Sequence, residues 1–277
     1  MGYHFRIMGV VNVTPDSFSD GGLYLDPQVA IAHGRQLAAE GAEILDVGGE
    51  STRPGAEPVS SEEELRRVMP VVEGLVGART TTAVSSPTIS IDTAKAAVAR
   101  AALDAGATLV NDVTALRGDP EMAAVVAQSG AECCLMHMRG EPRTMQHGRG
   151  EEWYDDVVDD VKAFLEARMA FAVERGIAEE RILLDPGIGF GKTVEHNLQL
   201  LRRLPELAAL GRPLVAGTSR KSFLGRLLGD APPAARLPGT IATCVLAYER
   251  GASVLRVHDV APVRAALTVA AATLGAR

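Results

Sequence analysis

Short apolar runs alternate with helical patterns along the 277 residues of the chain. The runs are rich in β-branched and aliphatic residues, as strands are, and the segments between them repeat apolar residues at helical spacing. In the last segment, Val263, Leu267, Ala270 and Leu274 recur at that spacing. We predict strands over residues 5–12, 43–48, 88–92, 108–113, 132–138, 181–185, 213–218 and 253–258. We predict helices over residues 27–40, 61–76, 95–105, 120–129, 153–175, 194–209, 238–250 and 261–274.

Eight strand–helix units in succession predict an α/β fold, a single closed (β/α)8 or TIM barrel with parallel strands. An open, doubly wound sheet is the alternative. No Gly-x-Gly-x-x-Gly follows the first strand, which weakens the dinucleotide-binding version of that alternative. No stretch rich in proline, glycine or serine separates two domains, so we expect one domain over residues 1–277.

Sequence signals mark several helix ends. Ser61 followed by Glu64 predicts a capping box at the start of the second helix. The acidic run at 151–160 is expected to be a solvated helix face. Glycines are expected to terminate five other helices, and these are Gly41, Gly106, Gly130, Gly176 and Gly251.

Composition restricts the function classes. With 28 basic and 35 acidic residues the net charge is −7, which disfavours a nucleic acid or an anionic membrane as the main partner. No apolar run reaches the roughly 20 residues of a membrane span, and we expect a cytoplasmic protein. Cys133, Cys134 and Cys244 form no CxxC pair, so buried reduced thiols are expected rather than a disulfide framework or a zinc site.

Polar residues stand at the end of nearly every predicted strand. In a parallel barrel the carboxyl ends of all strands meet at one face, where catalytic residues lie. Alternation along each strand directs some of these side chains into the barrel and places aliphatic residues against the helices. Several acids that converge there make poor structural sense without partners, because an unpaired buried carboxylate is costly. The strand-end residues are Asn12, Thr14, Asp46, Asp92, Asn111, Asp112, His137, Asp185, Arg256, His258 and Asp259.

Seven of these residues, taken singly, also have a structural interpretation. Asp92 alone is explained by a cap on the helix at 95–105, and Asp185 by a turn. Asn111 alone is explained by a satisfied buried amide. The remaining alternatives are a loop or cap role for Asp112, a structural role for His137, and ion pairs with acids for Arg256 and His258.

The segment DPGIGFGK at 185–192 combines a carboxylate, a proline and three glycines after a short strand. A phosphate cradle, a plain turn and a pocket for a flat polar ring are the possible interpretations. The glycine spacing does not match a P-loop, which disfavours the cradle. A carboxylate accepts two hydrogen bonds side by side from a ring edge, and glycines let the backbone approach closely.

Eight segments together resemble the dihydropteroate synthase family, in order and over about residues 5–260. They are MGVVNVTPDSFSDGG (8–22), ILDVGGESTRPGA (44–56), SIDT (90–93), VNDV (110–113), LMHM (135–138), LDPGIGFGK (184–192), GTSRKSFLG (217–225) and RVHDV (256–260).

The resemblance implies a transferase of folate biosynthesis. Such an enzyme condenses (7,8-dihydropterin-6-yl)methyl diphosphate with 4-aminobenzoate to give 7,8-dihydropteroate and diphosphate, by a dissociative route in which diphosphate leaves first. It further implies Mg²⁺ as cofactor, a homodimer of barrels, small-molecule substrates as the only ligands, and inhibition by sulfonamides. Two alternatives are a methyltransferase that acts on methyltetrahydrofolate and a corrinoid protein, which needs no diphosphate cluster, and an inactive pterin-binding paralogue.

The resemblance also assigns site residues. It implies that an ionised Asp92 stabilises the pterin cation, and that residues 219–222 begin a helix whose N-terminus receives the aminobenzoate carboxylate. The catalytic residues implied are Asp92, Lys221 and Arg256. The implied binding residues are Asp92, Asn111, Asp185 and Lys221 for the pterin; Asn12, Arg53, Arg256 and His258 for the diphosphate; Thr52, Pro54, Phe190 and Ser222 for the aminobenzoate; and Asn12 for the metal.

Overall fold

Strands and helices alternate through the computed structural model, which describes residues 5–14, 26–51, 55–77, 86–140 and 154–275. The strands are β1 (Arg6–Asn12), β2 (Ile44–Gly48), β3 (Thr88–Asp92), β4 (Leu109–Asp112), β5 (Glu132–Met136), β6 (Ile182–Asp185), β7 (Val215–Ala216) and β8 (Val254–Val257). The helices are α1 (Pro27–Ala39), α2 (Ser61–Val76), α3 (Ala96–Asp104), α4 (Met122–Ser129), α5 (Val157–Glu174), α6 (Val194–Arg202), α7 (Leu204–Ala208), α8 (Ser222–Leu227), α9 (Leu237–Glu249) and α10 (Val260–Thr273).

The eight strands form one parallel sheet that closes on itself. Its order is β6-β5-β4-β3-β2-β1-β8-β7, and a parallel bridge between Leu184 and Leu214 joins the two end strands. The backbone N–H of Leu184 also donates to the carbonyl of Pro213 at 3.0 Å. The predicted (β/α)8 barrel is therefore confirmed, and the open doubly wound sheet is wrong.

Apolar side chains fill two regions of the barrel. The larger core lies between the outer surface of the strands and the helices. The smaller core fills the barrel interior and consists of Met8, Ile44, Leu109, Cys134, Leu183, Val215 and Val254. Because side chains alternate along a strand, the next inward-facing positions lie two residues further on. On four strands these positions are polar, and they carry Asp46, Asn111, Asp185 and Arg256 directly above the apolar layer.

Two predicted elements are shorter than the sequence indicated. The helix expected over 194–209 is divided at Arg203, because Pro205 lacks the N–H that a continuous helix needs. The strand expected over 213–218 is reduced to two residues, since Pro213 cannot donate to a ladder. The other elements match the predicted boundaries to within a few residues.

Helix ends follow the predicted chemistry, with one correction. The cap of α2 is Ser60 and not Ser61, because the Ser60 hydroxyl accepts from the N–H of Glu63 at 3.2 Å. In the acidic run, Asp156 caps α5 through the N–H groups of Val158 and Asp159. The five predicted glycines, Gly41, Gly106, Gly130, Gly176 and Gly251, all have positive φ at the ends of helices.

The cysteines and the hydropathy of the helices also bear on the predictions. Cys133, Cys134 and Cys244 are buried free thiols, as expected. Over the part of the chain that the structure describes, no helix combines the length and apolar character needed to cross a membrane.

Candidate active site

Four polar side chains meet above the inner apolar core, at the carboxyl ends of β2, β3, β4 and β8. Arg256 donates from Nε to Asp46 Oδ2 at 2.7 Å and from Nη2 to Asp92 Oδ2 at 2.8 Å. Asn111 Nδ2 donates to the same oxygen of Asp46 at 3.0 Å, and Ser90 Oγ donates to Asp46 Oδ1 at 2.6 Å. The structure thus brings Asp92, Asn111 and Arg256 together as predicted. Asp46, which is the hub of this network, was recognised as a strand-end acid but not as a site residue.

The side chain of Asp92 is mostly buried, at 11% exposure, and its neighbours carry charges of both signs. Burial raises its pKa to about 8, the charge of Asp46 adds to this effect, and Arg256 opposes it. One guanidinium faces two carboxylates, so a proton on Asp92 relieves their repulsion. The pKa of Asp92 therefore lies above the ordinary value of a carboxyl, while the 2.8 Å bond from Arg256 favours the ionised form that the resemblance implies.

Asp185 and Lys221 also lie at the barrel mouth, where their charges attract each other and Lys221 Nζ donates to the carbonyl of Ile188. Asp185 is only 7% exposed, and its Oδ1 accepts from the N–H of Gly187 at 2.7 Å. Burial raises the pKa of Asp185, while Lys221 and this hydrogen bond oppose the shift. Burial also lowers the pKa of Lys221 to about 8, although Asp185 attracts its charge. The site can therefore present an acceptor and a donor to one ligand.

The loop after β6 explains the glycines of DPGIGFGK. Gly187 has φ +66°, and a side chain there would overlap the carbonyl of His137. Gly189 has φ +88°, and a Cβ there would lie 2.7 Å from Cδ of Lys221. The glycines thus allow the loop to lie against β5 and against the lysine. Asp185 anchors a turn, as its structural alternative stated, and the same turn positions it beside Lys221.

Beneath this loop, Lys192 contacts His137. Lys192 Nζ lies 2.9 Å from Nδ1 of His137, and it donates to the carbonyls of Gly187 at 2.9 Å and Phe190 at 3.1 Å. Burial lowers the pKa of His137 to about 2 and lowers that of Lys192 well below its usual value. The ring of His137 also packs edge-on against Phe164. His137 therefore has the structural role given as its alternative, and Lys192 was missed.

The loop after β7 contains Lys221 and contacts β8. Ser219 Oγ lies 3.0 Å from Nδ1 of His258, and Arg220 makes two bonds to Asp259, at 2.6 and 2.9 Å. The helix begins at Ser222, with Lys221 as its N-cap. The expectation that residues 219–222 begin a helix is therefore wrong for its first three members, which form the preceding turn.

The remaining predicted site residues lie in different situations. Asn12 is half-buried at the end of β1, paired in register with Gly48. Ser222 is exposed, and Phe190 lies beneath Lys221, whose Nζ is 4.5 Å from the ring centroid. Thr52, Arg53 and Pro54 lie outside the described residues.

Two structural alternatives for the acids have different outcomes. Asp92 does not cap α3, because Asp119 Oδ2 accepts from the N–H of Ala96, the first residue of that helix. Asp112 does serve a turn, since its carboxylate accepts from the N–H groups of Thr114 and Leu116, both at 2.8 Å. Asp92 instead pairs with Arg256, which is the ion pair that the structural alternative for Arg256 stated.

A further ion cluster lies beside the segment 51–58. Lys95 bonds to Glu50 and, at 2.5 Å, to Glu64, which is fully buried on α2. The other oxygen of Glu50 accepts from the N–H of Val59 at 3.1 Å, so Glu50 spans the two ends of this segment. Burial opposes the charge of Lys95, but its bonds to the two glutamates raise its pKa overall. The sequence predicted a capping-box role for Glu64, which the structure instead bonds to Lys95, and it predicted no role for Glu50 or Lys95.

The family match defines the class of this barrel. The sequence model of the family described as pterin binding enzyme matches residues 8–258, nearly the whole chain. The match includes every element that contributes Asp46, Asp92, Asn111, Asp185 and Arg256 to the mouth of the barrel.

Known relatives narrow the class further. Dihydropteroate synthase of a Synechocystis species is 48% identical over 92% of this chain and 85% of the relative. The Yersinia pestis dihydropteroate synthase, in a complex with a sulfonamide drug, has a TM-score of 0.92 at 44% identity and covers 99% of this chain and 95% of its own. The Xanthomonas albilineans enzyme in complex with 7,8-dihydropteroate has a TM-score of 0.85 at 46% identity, with 99% and 95% covered. The chain therefore belongs to the dihydropteroate synthase family, and it is a transferase.

Proposed function

We propose that the protein condenses (7,8-dihydropterin-6-yl)methyl diphosphate with 4-aminobenzoate to give 7,8-dihydropteroate and diphosphate, a step of folate biosynthesis. The observation that carries the proposal is the pairing of two groups at one barrel mouth. These are the oppositely charged Asp185 and Lys221, and the arginine that bridges Asp46 and Asp92. Support also comes from relatives named dihydropteroate synthase, which match nearly the whole chain.

The pterin ring fits the first of these groups. Its 2-amino group and the adjacent ring N–H both donate, and a carboxylate accepts two parallel bonds. We assign this edge to Asp185, the ring carbonyl to Lys221, and further ring atoms to Asn111, whose amide both donates and accepts. Because the three side chains come from different strands and loops of a rigid barrel, they can hold the ring in one orientation.

The chemical step breaks the bond between the exocyclic methylene carbon and the diphosphate oxygen, and the electron pair leaves with diphosphate. Arg53, Arg256 and His258 receive that charge in our proposal, since arginine suits bidentate phosphate contacts. The methylene cation is conjugated with the ring, and an ionised Asp92 stabilises it. The lone pair of the aminobenzoate nitrogen then forms the C–N bond, and the nitrogen releases its proton to solvent.

The proposed role of Asp92 requires that it lose its proton. The pKa of Asp92 is about 8 in this structure. A cationic group of the ligand close to Asp92 would lower this pKa and favour the ionised carboxylate. The developing charge on the methylene carbon supplies such a group. We therefore propose that Asp92 ionises as the reaction proceeds.

Magnesium is the cofactor we propose, with Asn12 as its protein ligand. Among the described residues no group of three or more acids, histidines or cysteines is arranged to hold a metal ion. A single amide oxygen at the end of β1 is compatible with Mg²⁺, which keeps several waters and binds substrate phosphates more than protein cages. When bound, the ion would neutralise charge on the diphosphate.

The second substrate is assigned to the outer part of the mouth. We propose that Thr52, Pro54, Phe190 and Ser222 contact the aminobenzoate, whose carboxylate lies towards solvent. A sulfonamide resembles this substrate in shape and charge, and we propose that such compounds compete with it. Support comes from the Yersinia pestis relative, whose complex contains a sulfonamide drug.

We also propose one domain over residues 1–277, a homodimer and a cytoplasmic location. Exposed aliphatic side chains on three successive helices support the dimer, with Leu227 at 53%, Leu246 at 38% and Val269 at 67%. Three buried free thiols are compatible with a reducing compartment.

The test mixes the purified protein with both substrates and Mg²⁺ and measures diphosphate release and aminobenzoate consumption together. We expect one diphosphate for each aminobenzoate consumed, and no release without the pterin substrate. Pterin binding without turnover at micromolar enzyme would show an inactive paralogue. Asp92→Asn should keep pterin binding and slow turnover by about 100-fold or more, since a charge aimed at the transition state is lost.

A further inference from the structure

We propose that Asp46 is a positioning residue, which fixes the side chains of Asn111 and Arg256 in the orientations that bind the pterin substrate. This inference rests on the proposed function, because the roles of those two residues come from it. Asp46 is fully buried at the centre of β2, and its three hydrogen-bond donors come from β3, β4 and β8.

Because Asp46 is buried, its negative charge is unfavourable unless its oxygens accept hydrogen bonds. Directly below it lies Ile44, part of the inner apolar core. A buried carboxylate is stable only when it is paired and hydrogen-bonded. Oδ1 of Asp46 accepts a hydrogen bond from Ser90, and Oδ2 accepts hydrogen bonds from Asn111 and Arg256. Every oxygen of the carboxylate is therefore used to hold a neighbour.

The bond to Asn111 determines which way its amide faces. An ionised carboxylate only accepts, so it selects the Nδ2 end of the amide at 3.0 Å. The reversed amide would place its oxygen against the carboxylate oxygen, and the two would repel. Asp46 therefore fixes the pattern of donor and acceptor that Asn111 offers to a ring in the mouth.

The bond to Arg256 fixes the plane of the guanidinium. Nε binds Asp46 at 2.7 Å and Nη2 binds Asp92 at 2.8 Å, so two nitrogens of one rigid fork are held by carboxylates on adjacent strands β2 and β3. Neither bond uses Nη1. Without Asp46 the guanidinium would be held only by its bond to Asp92 and could rotate about that bond. Asp92 would also lose the nearby negative charge of Asp46.

Two substitutions separate positioning from charge. Asp46→Asn can keep the geometry, because its amide oxygen can accept from Asn111 and Arg256 while its NH₂ donates to Ser90. Asp46→Ala removes all three bonds. We expect Asp46→Ala to lower kcat/KM for the dihydropterin diphosphate by about 100-fold, the usual cost of a misplaced binding group. The KM for 4-aminobenzoate should change by less than about 3-fold, because the donors to Asp46 are Ser90, Asn111 and Arg256, and none of these is assigned to the aminobenzoate.

Asp46→Asn should recover most of the loss and shift the acidic limb of the pH profile. The charge of Asp46 contributes to the raised pKa of Asp92, so its removal should move that limb to lower pH. A role in folding alone would not move it. Glu195→Gln, which neutralises an exposed acid paired with Arg202, is the control and should leave both kinetics and pH profile as in the wild type.

The outcomes are distinct. A wild-type protein without turnover refutes the proposed function itself. With an active wild type, an Asp46→Ala variant that folds and keeps wild-type kcat/KM for the pterin substrate overturns the positioning role. If Asp46→Ala does not fold, Asp46→Asn decides, and an unmoved acidic limb or a loss of about 100-fold in this variant overturns it.

Discussion

At the scale of single residues, the charge states of Asp92 and Lys221 control the proposed reaction. Burial raises the pKa of the acid to about 8 and lowers that of the lysine to about 8. The acid must be ionised, so activity is lost below its pKa. The lysine must be protonated to donate to the ring carbonyl, so activity is lost above its pKa.

The pH dependence of kcat/KM for the pterin substrate should therefore be a narrow bell centred near pH 8, because this parameter reports the groups of the free enzyme. Lys221→Arg keeps a cation at all accessible pH values, so it should remove the alkaline limb and leave the acidic limb in place. Steady-state rates from pH 6 to 10 measure both limbs. An alkaline limb that persists in Lys221→Arg would show that another group titrates there.

Alternation alone predicted which strand-end residues enter the barrel. The same rule places Asp46 two positions after Ile44, so the signal for it was present in the sequence. The sequence did not show which residues donate hydrogen bonds to Asp46, because these donors lie on strands 44, 65 and 210 residues away. The raised pKa of Asp92 depends on those same contacts, so no local pattern in the sequence predicts it.

At the scale of elements, the loop after β6 and the loop after β7 fit together through Gly189 and Lys221. Gly189→Ala should lower stability by about 1–2 kcal/mol, since its φ is +88°. It should also raise the KM for the pterin substrate several-fold, because the new Cβ would displace the lysine side chain. Denaturant unfolding and steady-state kinetics measure the two effects.

Gly211→Ala is the matched control for this change. Gly211 has φ +78° but no atom within 4 Å of the position of a Cβ. It should therefore lose similar stability and keep the wild-type KM. Equal KM values in the two variants would show that Gly189 does not act through Lys221.

The cluster of Lys95, Glu50 and Glu64 connects β2, α2 and α3. Lys95→Met should destabilise the fold by about 3–5 kcal/mol, because it leaves the fully buried Glu64 without its cation. The double variant Lys95→Met with Glu64→Met should recover most of this loss. Arg202→Met, which breaks an exposed ion pair, should cost less than about 1 kcal/mol. Chemical denaturation measures all three, and a loss in Lys95→Met no larger than in Arg202→Met would refute the buried-charge argument.

Element boundaries were predictable where one local cause dominates. The strand boundaries were predictable because a polar residue follows each aliphatic run. The helix ends were predictable because glycine adopts the positive φ that ends a helix. The break at Arg203 and the two-residue β7 were missed, although Pro205 and Pro213 were visible, since proline is also compatible with helix starts and strand edges. The ion cluster around Lys95 was missed because its members come from three separate segments.

At the scale of the whole molecule, eight similar units were enough to predict a closed barrel. Closure itself rests on a weak feature, the single bridge from Leu184 to Leu214. No local sequence pattern predicts that bridge. The count of units, rather than any one of them, made the prediction possible.

Assembly is the second question at this scale. If two copies pair through α8–α10, light scattering should give twice the mass of the chain, and Leu227→Glu should shift the protein towards the monomer. Val173→Glu, at a similarly exposed apolar residue on α5, should leave the dimer intact. A wild-type protein that stays monomeric at micromolar concentration would rule out the homodimer.

In the proposed mechanism, one barrel mouth holds an acidic slot for the pterin ring beside cations for its leaving group. A crystal structure with (7,8-dihydropterin-6-yl)methyl diphosphate bound, without aminobenzoate, tests it most directly. We expect the amino edge of the ring on the carboxylate of Asp185 at about 3 Å, the ring carbonyl at Lys221, and the diphosphate beside Arg256 and His258. A ring bound elsewhere, or a diphosphate on the side of Asp185, would contradict it.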